Sequence, residues 1–141
     1  MEFVLVGGLA VNAWGVVRGT KDVDIVVAPS TENLKRLGEV AVEAHGHVQK
    51  EEAFLSTPFS IAAEVATGER VAIETVFGLL DVVQGLDGVP PYADLRESAV
   101  DTEILGVKVA VCSIDALRKM KRAAGRPRDH VDLEDLDATG N

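Results

Sequence analysis

Two carboxylates, Asp22 and Asp24, stand two residues apart in Asp22-Val-Asp-Ile-Val-Val27, where every other position is β-branched. Side chains at i and i+2 of a strand share one face, so both acids project together, away from Val23 and Ile25. Carboxylates held this close resist joint ionisation unless a cation stands between them. Hard divalent cations such as Mg²⁺ take carboxylate oxygens together with substrate phosphates. Upstream, the apolar run Phe3-Val-Leu-Val6 stops at Gly7-Gly8. Glycines let a backbone approach a phosphate closely, and the free N–H groups of a following helix start favour an anion. A phosphate cradle beside a metal seat suits a nucleoside triphosphate.

The elements that must position these groups read as strand, glycine turn, helix, strand. Ala10, Ala13, Trp14 and Val17 recur at helical spacing after the glycines, and Gly15, Gly19 and Thr20 end that helix. Each part also has a plainer reading: Gly-Gly is often only a turn, and Asp-x-Asp is often a solvated edge. The near-continuous apolar run from Val23 to Val27 instead predicts an interior strand buried on both sides. Carboxylates in such a strand need partners, which favours the functional reading.

Gly7-Gly8, thirteen residues, then Asp22-Val-Asp-Ile resembles the signature of the DNA polymerase β-like nucleotidyltransferase superfamily. The wider run Gly-Gly-Leu-Ala-Val…Gly-Val-Val-Arg-Gly-Thr-Lys-Asp-Val-Asp-Ile is similar to its small bacterial branch. That branch holds minimal nucleotidyltransferases and the nucleotidyltransferase toxins of toxin–antitoxin and abortive-infection systems. The C-terminal Met120-Lys-Arg-Ala-Ala-Gly-Arg-Pro-Arg-Asp129 extends the resemblance over most of the chain. Family members carry a helix ahead of the first strand, whereas here Met1-Glu2 leads straight into Phe3–Val6. The expectation is one nucleotidyltransferase-like domain over 1–141 without that helix.

Composition sets the frame. The 141 residues are 47% hydrophobic but only 4% aromatic, enough for one domain whose core is Val, Leu, Ile and Ala. The single Cys112 excludes an intrachain disulfide and fits a reducing cytoplasm. No apolar run reaches membrane-spanning length, and there is no basic leader. A net charge of −9 opposes general nucleic-acid affinity, which depends on neutralising phosphates. Against that average, six of the 14 Lys and Arg residues fall between Arg118 and Arg128.

Downstream, Ser30 or Thr31 caps a helix carrying Leu34, Leu37, Val40, Ala41 and Ala44. His45-Gly-His47 has metal-ligand spacing but no further ligands, and reads as a helix-ending loop. Phe59–Ala66, Val71–Phe77 and Leu79–Val83 read as strands, with a hairpin turn at Thr67–Arg70 and a bulge or break at Gly78. Asp81 lies in the most apolar of these runs, where an unpartnered carboxylate is most costly; Glu64 and Glu74 are its rivals. A loop at 85–91, a short helix at Tyr92–Val100 and a Gly-broken hairpin or strand at Ile104–Val111 follow. Ser113 caps Ile114–Ala124, Gly125 and Pro127 interrupt it, and Asp129–Asp137 forms another turn or two.

The fold class expected is α/β, a mixed sheet of about five strands with helices packed mainly on one face. The resemblance implies Mg²⁺-dependent transfer of a nucleotide from a nucleoside triphosphate to a hydroxyl of tRNA, a protein or a small molecule. Asp22, Asp24 and Asp81 would be catalytic and hold the metal, with Gly7 and Gly8 cradling phosphates. Lys121 and Arg126 match the branch's C-terminal segment and would bind nucleotide, as would Arg18. Arg118, Lys119, Arg122 and Arg128 read as dipole-complementing surface charge. The rival expectation is a non-catalytic nucleotide binder, or an interaction partner of a cognate antitoxin.

Overall fold

The computed structural model describes residues 1–141 and is α/β throughout. A six-stranded mixed sheet runs in the order β5-β6-β2-β1-β8-β7. Its strands are β1 (Phe3–Val6), β2 (Val23–Val27), β5 (Arg70–Thr75), β6 (Gly78–Val83), β7 (Val100–Ile104) and β8 (Val107–Val111). A separate two-stranded sheet pairs β3 (Val48–Lys50) with β4 (Ala53–Leu55). The helices are α1 (Gly7–Ala13), α2 (Thr31–Glu43), α3 (Pro58–Thr67), α4 (Tyr92–Ser98), α5 (Ile114–Ala124) and α6 (Pro127–Ala138).

β1 and β2 lie at the sheet centre because their residues leave no polar side to face water. Val4–Val6 and Ile25–Val27 are buried at consecutive positions, so both faces of the centre are covered. β1 pairs antiparallel with β2 and parallel with β8, while β2 pairs parallel with β6. The core is a single cluster of 23 buried apolar residues without a fully buried aromatic ring, as the composition requires. Trp14 stands at its margin and donates its indole N–H to the Cys112 carbonyl at 3.0 Å, tying α1 to the entry of α5. No helix is long and apolar enough to cross a membrane.

Three expectations are corrected. Phe59–Ala66 is helix, not strand. Pro58 opens α3 at its first turn, Thr57 accepts from the Ser60 N–H, and the Ser60 hydroxyl accepts from Thr57 N–H in a capping box. Ile61 and Val65, four apart, are the face it buries. The supposed hairpin turn at Thr67–Arg70 therefore joins α3 to β5. Gly78 is no bulge: Thr75 pairs with Gly78, and Val76-Phe77 form a two-residue turn between β5 and β6. Its exposed apolar side chains hide it from a reading based on turn residues. Finally, α1 begins at Gly7 and stops at Ala13, leaving Val17 fully exposed in the following loop rather than on a helix face.

Against α2, α3 packs closely enough that a Cβ built on Gly38 would collide with the Pro58 carbonyl. Because the obstacle is backbone at a capped helix start, it cannot move aside cheaply. Gly38→Ala should therefore destabilise the protein by about 1–3 kcal/mol, read from the midpoint of urea unfolding, although alanine is the better helix former.

Candidate active site

β2 and β6 run side by side with Asp24 directly opposite Asp81. Paired residues of neighbouring strands project from the same sheet face, so the two carboxylates stand together. Asp81 is 1% exposed. Asp22, two residues before Asp24, lines the same cleft just outside β2. The cleft has a volume of about 520 Å³ and is also lined by Gly7, Gly8, Arg18, Thr20, Arg70, Lys121, Arg126 and Arg128. Val83, Leu86, Val89, Leu117, Met120 and Ala124 give it an apolar wall.

Both glycines are shaped by what they touch. Gly7 has a φ of +66°, and a Cβ there would run into the Asp24 carboxylate. A Cβ on Gly8 would run into the Arg18 guanidinium and the Thr20 hydroxyl. The turn thus has backbone on one side and Asp24, Arg18 and Thr20 on the other. No side chain caps α1, so no side chain takes the N–H groups of its first turn.

The electrostatics of the floor follow from burial. The Asp24 carboxyl is raised above its ordinary value of 3.8, first by desolvation, then by repulsion from Asp81 and a hydrogen bond to it, with Asp22 adding a little. Arg70 pulls the other way, placing Nη2 at 3.0 Å from Asp81 Oδ2. Asp81 Oδ1 is buried and has no partner. No three acid, His or Cys side chains are gathered into a finished metal cage. An orphaned carboxylate oxygen beside a strained acid nevertheless offers the hard oxygen donors that Mg²⁺ takes, so the residues fit such an ion.

The cations from the C-terminal segment are less free than their sequence suggests. Lys121 Nζ lies 3.2 Å from Asp129 Oδ1 and 2.9 Å from Asp132 Oδ2, with 9% of its side chain exposed. Asp129 also accepts the Arg126 backbone N–H at 3.0 Å and its Nε at 2.8 Å. Burial alone would push the Asp129 carboxyl up, but these hydrogen bonds from Arg126 and Lys121 outweigh it and hold it below 3.8. Asp132, fully buried behind the cleft, also reaches Arg18 Nε at 3.1 Å, an ion pair whose atoms are not aligned as a hydrogen bond. Arg128 lines the cleft, contrary to its reading as surface charge alone. Arg118 is no free surface charge either: its side chain, only 15% exposed, pairs with Asp115 and Asp137 and donates to the Asn141 carbonyl, away from the cleft lining.

No protein-family model matches the chain, and no curated protein matches its sequence. Solved structures do match its fold. One is the lincosamide antibiotic adenylyltransferase LnuA with lincomycin bound, at 14% identity and a TM-score of 0.62, covering 98% of this chain and 87% of that one. Another is a Thermotoga maritima protein described as a nucleotidyltransferase, at 16% identity and a TM-score of 0.55, covering 94% and 80%. The chain has a nucleotidyltransferase fold.

Within that fold, the residues assigned to the site from the sequence, Gly7, Gly8, Arg18, Asp22, Asp24, Asp81, Lys121 and Arg126, line one cleft. The rival acids do not: Glu64 lies on α3 paired with Lys50, and Glu74 on β5 beside His47. Two contributors escaped the sequence. Arg70 carries no local signal, since the sequence reads it as the last residue of a turn whereas it opens β5. Asp132 was one acid among several in an acidic helix, and its burial gives it away.

Asp24 and Asp132 should respond oppositely to loss of charge. The folded state holds the Asp24 proton more tightly than the unfolded chain does. Its contribution to stability is therefore greatest in acid and is lost as pH rises from 3.8 through the raised folded value. Asp24→Asn should raise the urea midpoint at pH 7 without divalent metal, and the gain should shrink towards pH 4. Asp132→Asn should instead cost about 3–5 kcal/mol at pH 7, because it leaves Arg18 largely buried without its anion and Lys121 with Asp129 alone.

Proposed function

We propose that the protein is a Mg²⁺-dependent nucleotidyltransferase. The observation that carries this reading is the in-register pair Asp24–Asp81 at the floor of a cleft whose rim is the Gly7-Gly8 turn. A binding module needs anion donors, but has little use for two acids whose burial is left half compensated. Asp22, Asp24 and Asp81 would hold the metal ion. When bound, it would neutralise phosphate charge and stabilise the departing pyrophosphate.

The chain's own residues do the rest. The Gly7-Gly8 turn and the uncapped start of α1 receive phosphate oxygens. Arg18, Arg126 and Arg128 supply positive charge along the same wall, with Arg18 and Lys121 held in place by Asp132. The acceptor hydroxyl oxygen attacks the α-phosphorus, the bond to the β-phosphate oxygen breaks, and pyrophosphate leaves. Asp81, whose Oδ1 has no partner, would orient that hydroxyl and take its proton.

The acceptor class is narrowed by the state of the basic segment. Lys121, Arg126, Arg118 and Arg128 all pair with acids, which leaves only Lys119 and Arg122 of this segment unpaired on a chain of net charge −9, a poor surface for a run of nucleic-acid phosphates. That favours a hydroxyl on a small molecule or a protein over one on tRNA. A small-molecule acceptor would set the enzyme beside antibiotic-modifying adenylyltransferases. A protein acceptor would set it in the toxin–antitoxin context that the sequence resemblance implies.

Labelled nucleoside triphosphates, each offered with Mg²⁺ to the protein plus cell lysate, total tRNA or a panel of hydroxylated small molecules, test this. Transfer to one acceptor class is expected, and Asp81→Asn should reduce it by about 10²–10⁴-fold while leaving nucleotide binding largely intact. A protein that binds nucleotide but labels no acceptor would move the assignment to the binding-module reading. Mg²⁺ and nucleoside triphosphate together should raise the melting temperature more than either alone; equal shifts with and without metal would count against a metal-bridged site.

A further inference from the structure

Asp81, buried, and Asp24, half-buried at the cleft floor, make one acidic pair, yet only one cation touches it. Arg70 reaches Asp81 Oδ2 at 3.0 Å, and Asp24 makes no ion pair of its own. The origin of that cation is informative. Arg70 is the first residue of β5, an edge strand, and 54% of its side chain is exposed while its partner is 1% exposed. A buried acid is thus matched by a base that can swing into solvent without disturbing the core. The ion pairs of Lys121 with Asp129 and Asp132 are the opposite case, closed in on both sides.

We propose that Arg70 is the resident counter-cation of the Asp24–Asp81 pair, giving up Asp81 when a divalent metal ion arrives and so making metal binding wait for nucleotide. The inference rests on the carboxylate pair being the metal seat, as proposed above. A guanidinium on Oδ2 occupies lone pairs that a metal ion would need and repels that ion directly. Metal alone must therefore displace Arg70 into water and gains little by the exchange. Nucleotide changes the balance, because Arg70 lines the same cleft as the glycine turn and a displaced guanidinium then finds phosphate oxygens within the site. Metal and nucleotide enter together because one side chain must be satisfied twice.

The test needs no turnover. MgCl₂ and MnCl₂ are titrated calorimetrically into wild type, Arg70→Gln and Arg70→Lys without nucleotide. Arg70→Gln should bind either ion at least about tenfold more tightly, since a neighbouring arginine shifts a carboxylate's proton affinity by one unit or more. Arg70→Lys, which keeps the charge but not the fork, should fall between. Urea unfolding provides a second reading: without metal Arg70→Gln should be less stable than wild type, and saturating Mg²⁺ should restore more stability to it than it adds to wild type. Equal metal affinities in wild type and Arg70→Gln overturn the inference and leave the metal seat standing. No binding of either ion by any of the three proteins, even with ATP present, overturns the inference and the metal seat together.

Discussion

Burying carboxylates at the centre of a sheet is the constraint on which the site depends. Asp24 and Asp81 sit opposite each other because β2 and β6 pair in parallel register, and that register is fixed by the apolar residues around them. Ile25, Val26, Val27 and Val82 are all buried. Slipping either strand by one position would turn one of the two acids to the opposite sheet face and end the pairing of Asp24 with Asp81. The hydrophobic core thus does more than stabilise the fold. It holds two mutually repelling carboxylates side by side, Asp81 buried and Asp24 half-buried. The proton affinity of Asp24 records the strain.

A second, separate ionic cluster solves a different problem. α5 and α6 come late in the chain, yet they must close the cleft built from its first residues. Asp132 and Asp129 lie on the inner face of α6 and take Lys121 from α5 and Arg18 from the loop between α1 and β2. A buried ion pair is weak evidence for stability, since desolvation offsets most of the attraction. Its use here is geometric. One buried carboxylate fixes where two cations point, and one of those cations packs over Gly8. Apolar substitutes could fill the same volume but could not aim a charge at the glycine turn.

Legibility from the sequence followed the range of the interactions. The β1–glycine–α1–β2 unit could be read because strand, turn and helix signals change within a few residues, and Asp22 and Asp24 are spaced by the strand repeat itself. The cap of α5 was equally local: Ser113 accepts from the Ala116 N–H. α3 was misread because the apolar content of Phe59–Ala66 drew attention from Thr57-Pro58, the cap and first-turn proline that decide the matter. Asp81 was recognised by its apolar frame, but its pairing with Asp24 belongs to strand register and no local pattern encodes it. With 23 acids and 14 Lys and Arg residues, nothing local matches Arg70 to Asp81 or Asp132 to Arg18.

The two ionic arrangements differ in a way that bears on how such a small domain works. Where geometry must not change, as around Asp132, cations and anions are enclosed together. Around the Asp24–Asp81 pair, Asp81 stays enclosed while Arg70, its cation, is left at an edge. Folding stability would favour enclosing Arg70 too, since a shielded pair is less screened. Under the proposed exchange, enclosure would also make the displacement of Arg70 expensive. Its exposed position would then be a concession of stability to exchange, in keeping with the tendency of functional sites to keep strain that the rest of the fold could have removed.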